Sequence, residues 1–230
     1  MATLILIRHG QSTWNAANRF TGWVDVPLSK QGREEARRAA QQISNYRVDV
    51  CYTSLLIRAI ETAIIALTEC EGVCGDRSPV LKHNADDPDW HGWDAYEGDP
   101  SQELPIFLSA ALDERYYGEL QGLNKSQTAA KYGSEVVHTW RRSFATRPPG
   151  GESLADTAAR TLPFFQSRIL SHIAQDEVVL VAAHGNSLRS IIMHLDQLDP
   201  ETVPDLELAT GVPIVYEMTP AAQILSKRTL

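Results

Sequence analysis

The sequence predicts an α/β fold of three layers, in which a mostly parallel β-sheet is covered by helices on both faces. Segments with strand character alternate with amphipathic segments of helical length, as expected where crossover helices join parallel strands. The strand-like segments are continuously apolar, which is typical of strands that are buried on both faces. The chain has 230 residues, of which 43% are hydrophobic and 22% charged, enough for one sizeable core. We therefore expect a single domain over residues 1–230.

The first part of the chain supplies two strand–helix pairs. Residues 4–7 form the first buried strand, and Ser29 is a suitable N-cap for a helix that extends to about Asn45. Residues 48–53 are predicted as the second strand, and residues 57–71 as the helix that follows it. Both helices are expected to pack against the sheet.

The second part begins with a long helix and ends with a strand. Ser153 and Asp156 form a capping box at the start of the helix, and Pro163 is expected to kink it because proline lacks a backbone donor. Its apolar positions recur every three or four residues, namely Leu154, Ala158, Leu162, Phe165, Ile169 and Ile173. Residues 178–183 form a third buried strand, residues 186–195 a helix, and residues 212–218 the predicted final strand.

Two segments interrupt this alternation. Residues 84–105 are rich in Asp, Pro, Gly and Trp and predict an irregular surface excursion. Residues 83–103 contain seven Asp and Glu residues and neither Lys nor Arg, so they account for most of the net charge of −8. The rest of the chain is nearly neutral and can hold a local basic pocket. Residues 146–151, T-R-P-P-G-G, predict a short, stiff turn.

Composition excludes several classes of partner. The net charge of −8 argues against binding to nucleic acid or to an anionic membrane surface. The apolar run at residues 3–7 is too short to span a bilayer and lacks the basic start of a signal peptide. The chain's three cysteines are Cys51, Cys70 and Cys74, an odd count with no Cys/His pair to complete a zinc site. We expect free thiols in a reducing cytoplasm.

Two of the predicted strands end in histidine followed by glycine, at His9 and His184. Arg8 precedes His9, and the helix after the second strand begins near Arg58. Phosphoryl transfer requires a nucleophile and positive charge around the phosphoryl oxygens, and parallel strands bring their carboxyl ends to one edge of the sheet. Metal ligation by the two histidines is an alternative, but the sequence offers no carboxylates at ligand spacing and Arg8 would repel a cation. We therefore expect no metal.

Residues 6–15, L-I-R-H-G-Q-S-T-W-N, are similar to the signature of the histidine phosphatase superfamily. Further segments resemble its cofactor-dependent phosphoglycerate mutases. They are N-R-F-T-G-W-V-D-V-P-L-S (18–29), Y-T-S-L-L-I-R-A-I-E-T (52–62), L-D-E-R-Y-Y-G-E-L-Q-G-L-N-K (112–125), K-Y-G (131–133), W-R-R (140–142), A-A-H-G-N-S-L-R (182–189) and T-G-V-P-I-V-Y-E (210–217). The resemblance extends over nearly the whole chain, in the order of that family.

The resemblance implies interconversion of 3-phosphoglycerate and 2-phosphoglycerate, primed by 2,3-bisphosphoglycerate, in a cytoplasmic enzyme that can form a homo-oligomer. It implies that His9 is the phosphorylated nucleophile and Glu114 the general acid and base. Arg8, Arg58 and His184 would hold the phosphoryl oxygens. The implied substrate-binding residues are Asn15, Thr21, Gly22, Arg115, Tyr117, Lys125, Arg141, Arg142, Gly185 and Asn186. Lysine and arginine suit a small, highly anionic acid because their hydrogen bonds are charge-assisted.

Three departures from the common bacterial pattern stand out. Residues from about 83 to 108 form an acidic insertion, the segment after W-R-R is shortened, and the chain stops at Leu230. We expect the insertion either to help cover the site or to form an oligomer contact. A phosphatase or a bisphosphoglycerate synthase on the same fold remains an alternative function. A non-catalytic phosphoprotein-binding module would have lost His9, Glu114 or His184, and all three are present.

Overall fold

The computed structural model describes residues 1–83 and 98–230, and within them the centre of the molecule is a seven-stranded sheet. Its strands are β1 (Ala2–Arg8), β2 (Val50–Thr53), β3 (Ser78–Lys82), β4 (Glu103–Leu108), β5 (Val178–Ala183), β6 (Pro213–Met218) and β7 (Ile224–Thr229). Their spatial order is β3-β4-β2-β5-β1-β6-β7. The first five strands in this order are parallel, β6 runs antiparallel to β1, and β7 runs antiparallel to β6. The predicted mostly parallel α/β sheet is confirmed.

Helices connect these strands. They are α1 (Thr13–Ala16), α2 (Lys30–Gln42), α3 (Ile57–Thr68), α4 (Glu71–Cys74), α5 (Lys125–Tyr132), α6 (Ser134–Arg142), α7 (Leu154–Phe164), α8 (Leu170–Ile173) and α9 (Gly185–Asp196). Helix α2 begins where the sequence predicts, because the Ser29 hydroxyl accepts a hydrogen bond from the Gly32 N–H at 3.0 Å. The helices predicted for residues 57–71 and 186–195 are present as α3 and α9.

The hydrophobic core lies on both faces of the sheet. Successive residues of a strand point to opposite faces, so a central strand such as β1 contributes to two apolar clusters. In β1, Leu4 and Leu6 belong to one apolar cluster, whereas Ile5 and Ile7 belong to the other. The first cluster includes Phe165 and Ile169 from the long C-terminal helical region, and the second includes Ala39 of α2. Because both faces of β1 are buried, its run of apolar residues does not alternate with polar ones.

The long helix predicted from Ser153 is capped as expected but changes its winding. The Ser153 hydroxyl and the Asp156 carboxylate form the capping box. After Pro163, which lies inside α7, residues Phe165–Ile169 form a π-helical segment before α8. A π segment next to a missing backbone donor is a common form of helix distortion.

Two predictions about the sheet are wrong. The predicted irregular segment 84–105 extends too far, because Glu103, Leu104 and Pro105 already belong to β4, which pairs with β2 and β3. The strand at residues 212–218 is not the last one, because β7 pairs antiparallel with it. Strand β3 and helices α5 and α6 were not predicted. Residues 84–97, the larger part of the proposed acidic insertion, lie outside the described residues.

No helix among residues 1–83 and 98–230 is long and apolar enough to cross a membrane.

Candidate active site

The two histidines that end predicted strands lie side by side. Strands β1 and β5 are neighbours in parallel register, with Arg8 opposite Ala183, so the residues that follow them meet at the same edge of the sheet. The ring centroids of His9 and His184 are 4.9 Å apart. Both side chains are buried, with 3% and 0% of their surface exposed.

The hydrogen bond of His9 fixes its tautomer. Its Nδ1 atom lies 2.7 Å from the carbonyl oxygen of Gly10. A carbonyl oxygen can only accept, so Nδ1 carries the proton and Nε2 keeps its lone pair. Burial, together with the nearby Arg58 and Arg8 guanidiniums, lowers the pKa of His9 to about 3. At neutral pH, the imidazole of His9 is therefore uncharged and has a free lone pair on Nε2.

His184 is held by a hydroxyl group at the end of β2. The distance from its Nε2 to the Oγ of Ser54 is 2.6 Å. Burial, and then the charge of Arg58, keep the pKa of His184 well below its ordinary value. His184 is completely buried beside His9, and its Nδ1 has no hydrogen-bond partner among the described residues.

Arg8 and Arg58 place positive charge around His9. The guanidinium of Arg58 is 1% exposed and donates to the carbonyl oxygens of Gly22 at 2.7 Å and Val24 at 3.1 Å. Arg8 donates from NH1 to the carbonyl oxygen of Leu208 at 2.7 Å. The Nε–H groups of both arginines are buried and lack an acceptor among the described residues. Unpaired buried donors on cationic groups are costly, so they favour a bound anion.

Glu114 is kept ionised by donors directed at its carboxylate. Its Oε1 accepts from the Asn186 side-chain amide at 2.7 Å and from the Arg115 backbone N–H at 2.7 Å. Burial alone would raise the pKa of Glu114, but these hydrogen bonds and the charges of Arg8 and Arg58 outweigh it, so the pKa is lowered. Glu114 can therefore accept a proton at neutral pH.

The cavity has two compartments that share Arg8, Glu114, Tyr117 and Lys125. The phosphoryl compartment also contains His9, Asn15, Arg19, Phe20, Thr21, Gly22 and Arg58. The distal compartment also contains Arg141, Arg142, Gly185, Asn186, Arg189 and Glu207. Seven cationic side chains and two carboxylates therefore line the two compartments. Such a cavity suits a small molecule that carries more than one anionic group.

All but one of the predicted substrate-binding residues line one or both compartments. The exception is Arg115, which is completely buried and absent from both linings. Its NH2 donates to the hydroxyl of Tyr117 and to the carbonyl oxygen of Arg141, each at 3.2 Å. Arg115 is therefore buried next to Tyr117 and Arg141, which face the cavity, and its Nε and NH1 lack acceptors among the described residues.

Five residues of the site were not singled out from the sequence. Arg19 and Phe20 line the phosphoryl compartment, Arg189 and Glu207 line the distal compartment, and Ser54 contacts His184. All of them except Glu207 lie inside family-like segments, at 18–29, 52–62 and 182–189. Arg189 also follows Asn186 by three residues on α9, which puts both side chains on the same face of the helix.

No cluster of three or more His, Cys, Asp or Glu side chains suited to a metal ion occurs in the part of the chain that the structure describes. The absence of a metal from the reaction stays a prediction.

Comparisons with known proteins agree on one family. The family model described as the histidine phosphatase superfamily (branch 1) matches residues 4–79 and 97–228. The 2,3-bisphosphoglycerate-dependent phosphoglycerate mutase of Gloeothece citriformis is 66% identical over 232 residues, covering 100% of both chains. A mutase of the same name from Protochlamydia amoebophila is 51% identical over 219 residues, covering 94% of this chain and 95% of the relative.

Solved structures match the fold at lower identity. A mycobacterial glucosyl-3-phosphoglycerate phosphatase superposes with a TM-score of 0.74 at 23% identity, covering 100% of this chain and 97% of that chain. Bacillus stearothermophilus YhfR gives a TM-score of 0.74 at 23% identity, covering 97% and 94%. These similarities establish the α/β architecture.

Proposed function

Since the chain belongs to the histidine phosphatase superfamily (branch 1), we infer that it is a phosphoglycerate mutase, which interconverts 3-phosphoglycerate and 2-phosphoglycerate in glycolysis and gluconeogenesis. Full-length identity to mutases supports this activity. The feature of the site that best supports mutase activity is that the phosphoryl and distal compartments meet at Glu114. A mutase must hold one anionic group while it transfers another.

His9 is the nucleophile of the proposed reaction. Its Nε2 lone pair attacks phosphorus, an N–P bond forms, and the P–O bond to the donor breaks. The Gly10 carbonyl oxygen accepts from Nδ1 at 2.7 Å and stabilises the positive charge that develops on the ring. The low pKa of His9 ensures that no proton has to be removed from Nε2 beforehand.

Arg8 and Arg58 stabilise the charge on the transferring group. Their buried Nε–H groups lack acceptors among residues 1–83 and 98–230 and would donate to phosphoryl oxygens. Carbonyl oxygens already accept from both terminal nitrogens of Arg58 and from NH1 of Arg8, so these side chains are oriented before substrate arrives. Preoriented donors stabilise a transition state without the cost of reorganisation.

Glu114 moves the proton. When the free hydroxyl of the phosphoglycerate attacks phosphohistidine, the Glu114 carboxylate takes the hydroxyl proton as the N–P bond breaks and the new P–O bond forms. In the reverse direction, the protonated carboxyl returns the proton to the leaving oxygen. The donors from Asn186 and Arg115 hold Oε1 and leave Oε2 available, which fits this role.

We propose 2,3-bisphosphoglycerate as the primer, and the cavity fits it. When bound, it supplies the first phosphoryl group to His9. The phosphoryl compartment offers unpaired donors for one phosphate, and Lys125, Arg141 and Arg142 line the space for a second anionic group. We also propose that the enzyme is cytoplasmic, because its three cysteines are free thiols. We further propose that it forms a homo-oligomer.

Labelling tests the proposed intermediate. Incubation with bisphosphoglycerate labelled with ³²P should place acid-labile, alkali-stable phosphate on His9. His9→Ala should abolish labelling and turnover, whereas the matched control His138→Ala, at an exposed position on α6, should keep both. A turning-over His9→Ala enzyme, or phosphate found on serine, would overturn the proposal.

A further inference from the structure

Residues 204–208 continue from a short 3₁₀ helix (Val203–Asp205) into an irregular segment, and their backbone contacts three arginines of the distal compartment. The carbonyl oxygen of Pro204 accepts from Arg142 at 2.8 Å. The carbonyl oxygen of Leu206 accepts from Arg189 Nε at 2.9 Å, and that of Leu208 from Arg8 NH1 at 2.7 Å. Alternate carbonyls of one short segment thus orient three cationic side chains towards the same space.

Arg189 differs from Arg142 in how many donors it has free. Arg142 uses NH1 on Pro204 and NH2 on the Glu207 carboxylate, at 2.8 Å and 2.7 Å. Within the described residues, Arg189 uses only its Nε. Both terminal nitrogens of Arg189 therefore remain available for a ligand, as a planar fork that can bind a carboxylate or phosphate through two hydrogen bonds.

Arg189 also lies next to the reacting groups. A methyl group added at Gly185 would be 3.2 Å from Arg189 NH1, 3.6 Å from Arg8 Nε and 3.7 Å from Glu114 Oε2. These three atoms therefore border the same small space, which the missing side chain of Gly185 leaves open. An anionic group bound by Arg189 would consequently lie beside the acid–base carboxylate.

The charge of Arg189 survives its burial. Only 9% of the residue is exposed, and burial lowers the pKa of its guanidinium to about 10. It remains protonated at neutral pH. A buried cation whose terminal donors lack acceptors in the described part of the chain gains from an anionic ligand.

We propose that Arg189 is a further substrate-binding residue, which binds the anionic group of the substrate that is not being transferred and is oriented for this task by the Leu206 carbonyl. The inference rests on the proposed mutase function. It makes Arg189 a determinant of specificity for substrates that carry a carboxylate besides the phosphate. The three arginine side chains that the carbonyl oxygens of residues 204–208 orient then form one binding site for an anion.

A pair of ligands tests the role of Arg189. The ligand 3-phosphoglycerate carries a carboxylate, whereas glycerol 3-phosphate has the same carbon chain and phosphate without it. Dissociation constants are measured by calorimetry on the intact enzyme. Arg189→Gln should raise the Kd of 3-phosphoglycerate roughly tenfold or more, the scale of a lost charge-assisted hydrogen bond, and leave that of glycerol 3-phosphate within about twofold.

Two further variants complete the test. Arg189→Lys keeps the positive charge but not the planar pair of donors, so the Kd of 3-phosphoglycerate should rise by less than in Arg189→Gln. If the glutamine variant does not fold, the lysine variant tests the role of Arg189. Arg37→Gln removes an exposed positive charge on α2 and should change neither constant. Equal weakening of both ligands, or of neither, would overturn the role of Arg189. A wild-type enzyme that does not prefer 3-phosphoglycerate would instead overturn the proposed function.

Discussion

At the scale of single residues, the site keeps His9 and Glu114 unprotonated by two different means. Burial and neighbouring positive charge keep His9 unprotonated, with a pKa of about 3. Glu114 is buried too, but donors from Asn186 and Arg115 lower its pKa and keep it ionised. The proposed nucleophile and the proposed base are therefore both in their reactive forms at neutral pH.

Glu114→Gln tests the proton transfer. Glutamine keeps the shape of the side chain and an oxygen for the Asn186 amide, but it cannot take up the substrate proton. Steady-state assays should show kcat reduced by roughly 100-fold or more, with a much smaller change in KM. Glu119→Gln, at an exposed position nearby in the chain, is the control and should behave as wild type. A Glu114→Gln enzyme with normal kcat would show that another group moves the proton.

The sequence predicted most of the residues that form the cavity, because they lie in segments that resemble a known family. Arg189 was overlooked, because the sequence does not show which residues surround it. An arginine on a helix is usually a charge exposed to solvent. The complete burial of Arg115 could not be predicted either. Its backbone N–H contacts Glu114 while its side chain is directed at Tyr117, and this division depends on tertiary packing.

At the scale of elements, the end of β1 is fixed by an unusually close contact with α2. A Cβ atom at Gly10 would lie 2.2 Å from the Gly32 carbonyl oxygen, and one at Gly32 would lie 2.1 Å from the Gln11 carbonyl oxygen. The two backbones touch where neither residue has a side chain. This contact, one residue after His9, helps to hold the His9 side chain in place.

Gly32→Ala sets two effects against each other. Helix propensity favours alanine by about 1 kcal/mol, whereas the clash with backbone should cost about 1–3 kcal/mol, and more if the strand end cannot shift. We expect net destabilisation in urea unfolding, together with lower mutase activity because the shift reaches His9. Gln41→Ala, at an exposed position of the same helix, should stay within about 0.5 kcal/mol of wild type. A more stable Gly32→Ala protein would refute the clash.

Element prediction succeeded where burial is strong and failed where it is weak. The continuous apolar runs of β1 and β5 and the caps at Ser29 and Ser153 are local signals, and all were predicted correctly. Strand β7 is exposed along its whole length, so it has no hydrophobic pattern to recognise. Strand β4 does alternate in burial, but Pro105 and the acidic residues before it argued against a strand.

At the scale of the whole molecule, burying neutral histidines makes stability depend on pH. In the folded protein, the pKa values of His9 and His184 are lowered, so below pH 6.5 the unfolded chain binds more protons than the folded one. Lowering the pH therefore reduces the free energy of unfolding through both histidines. Asp113 acts in the opposite sense, because burial raises its pKa to about 6 and the folded protein binds the extra proton.

A comparison of the wild type with His9→Gln isolates the contribution of His9 to the pH dependence of stability. As pH falls from 6 to 4.5, His9 should reduce the free energy of unfolding by about 1.4 kcal/mol per pH unit. Urea unfolding of wild type and His9→Gln over this range should therefore give curves that differ in slope by that amount, with wild type the more acid-sensitive. Parallel curves would mean that His9 is not held neutral in the folded state.

The position of β1 between two other strands of the sheet also affects how the chain folds during its synthesis. Its two neighbours are β5 and β6, so Thr3 pairs with Val178 and Ala2 with Met218. A ribosome that adds 5–20 residues per second needs roughly 10–35 s to proceed from the first strand to its partner. During this interval, a run of apolar residues that will be completely buried has no strand to pair with. His9 is among the first residues made, yet the site around it can form only after nearly the whole polypeptide has been translated.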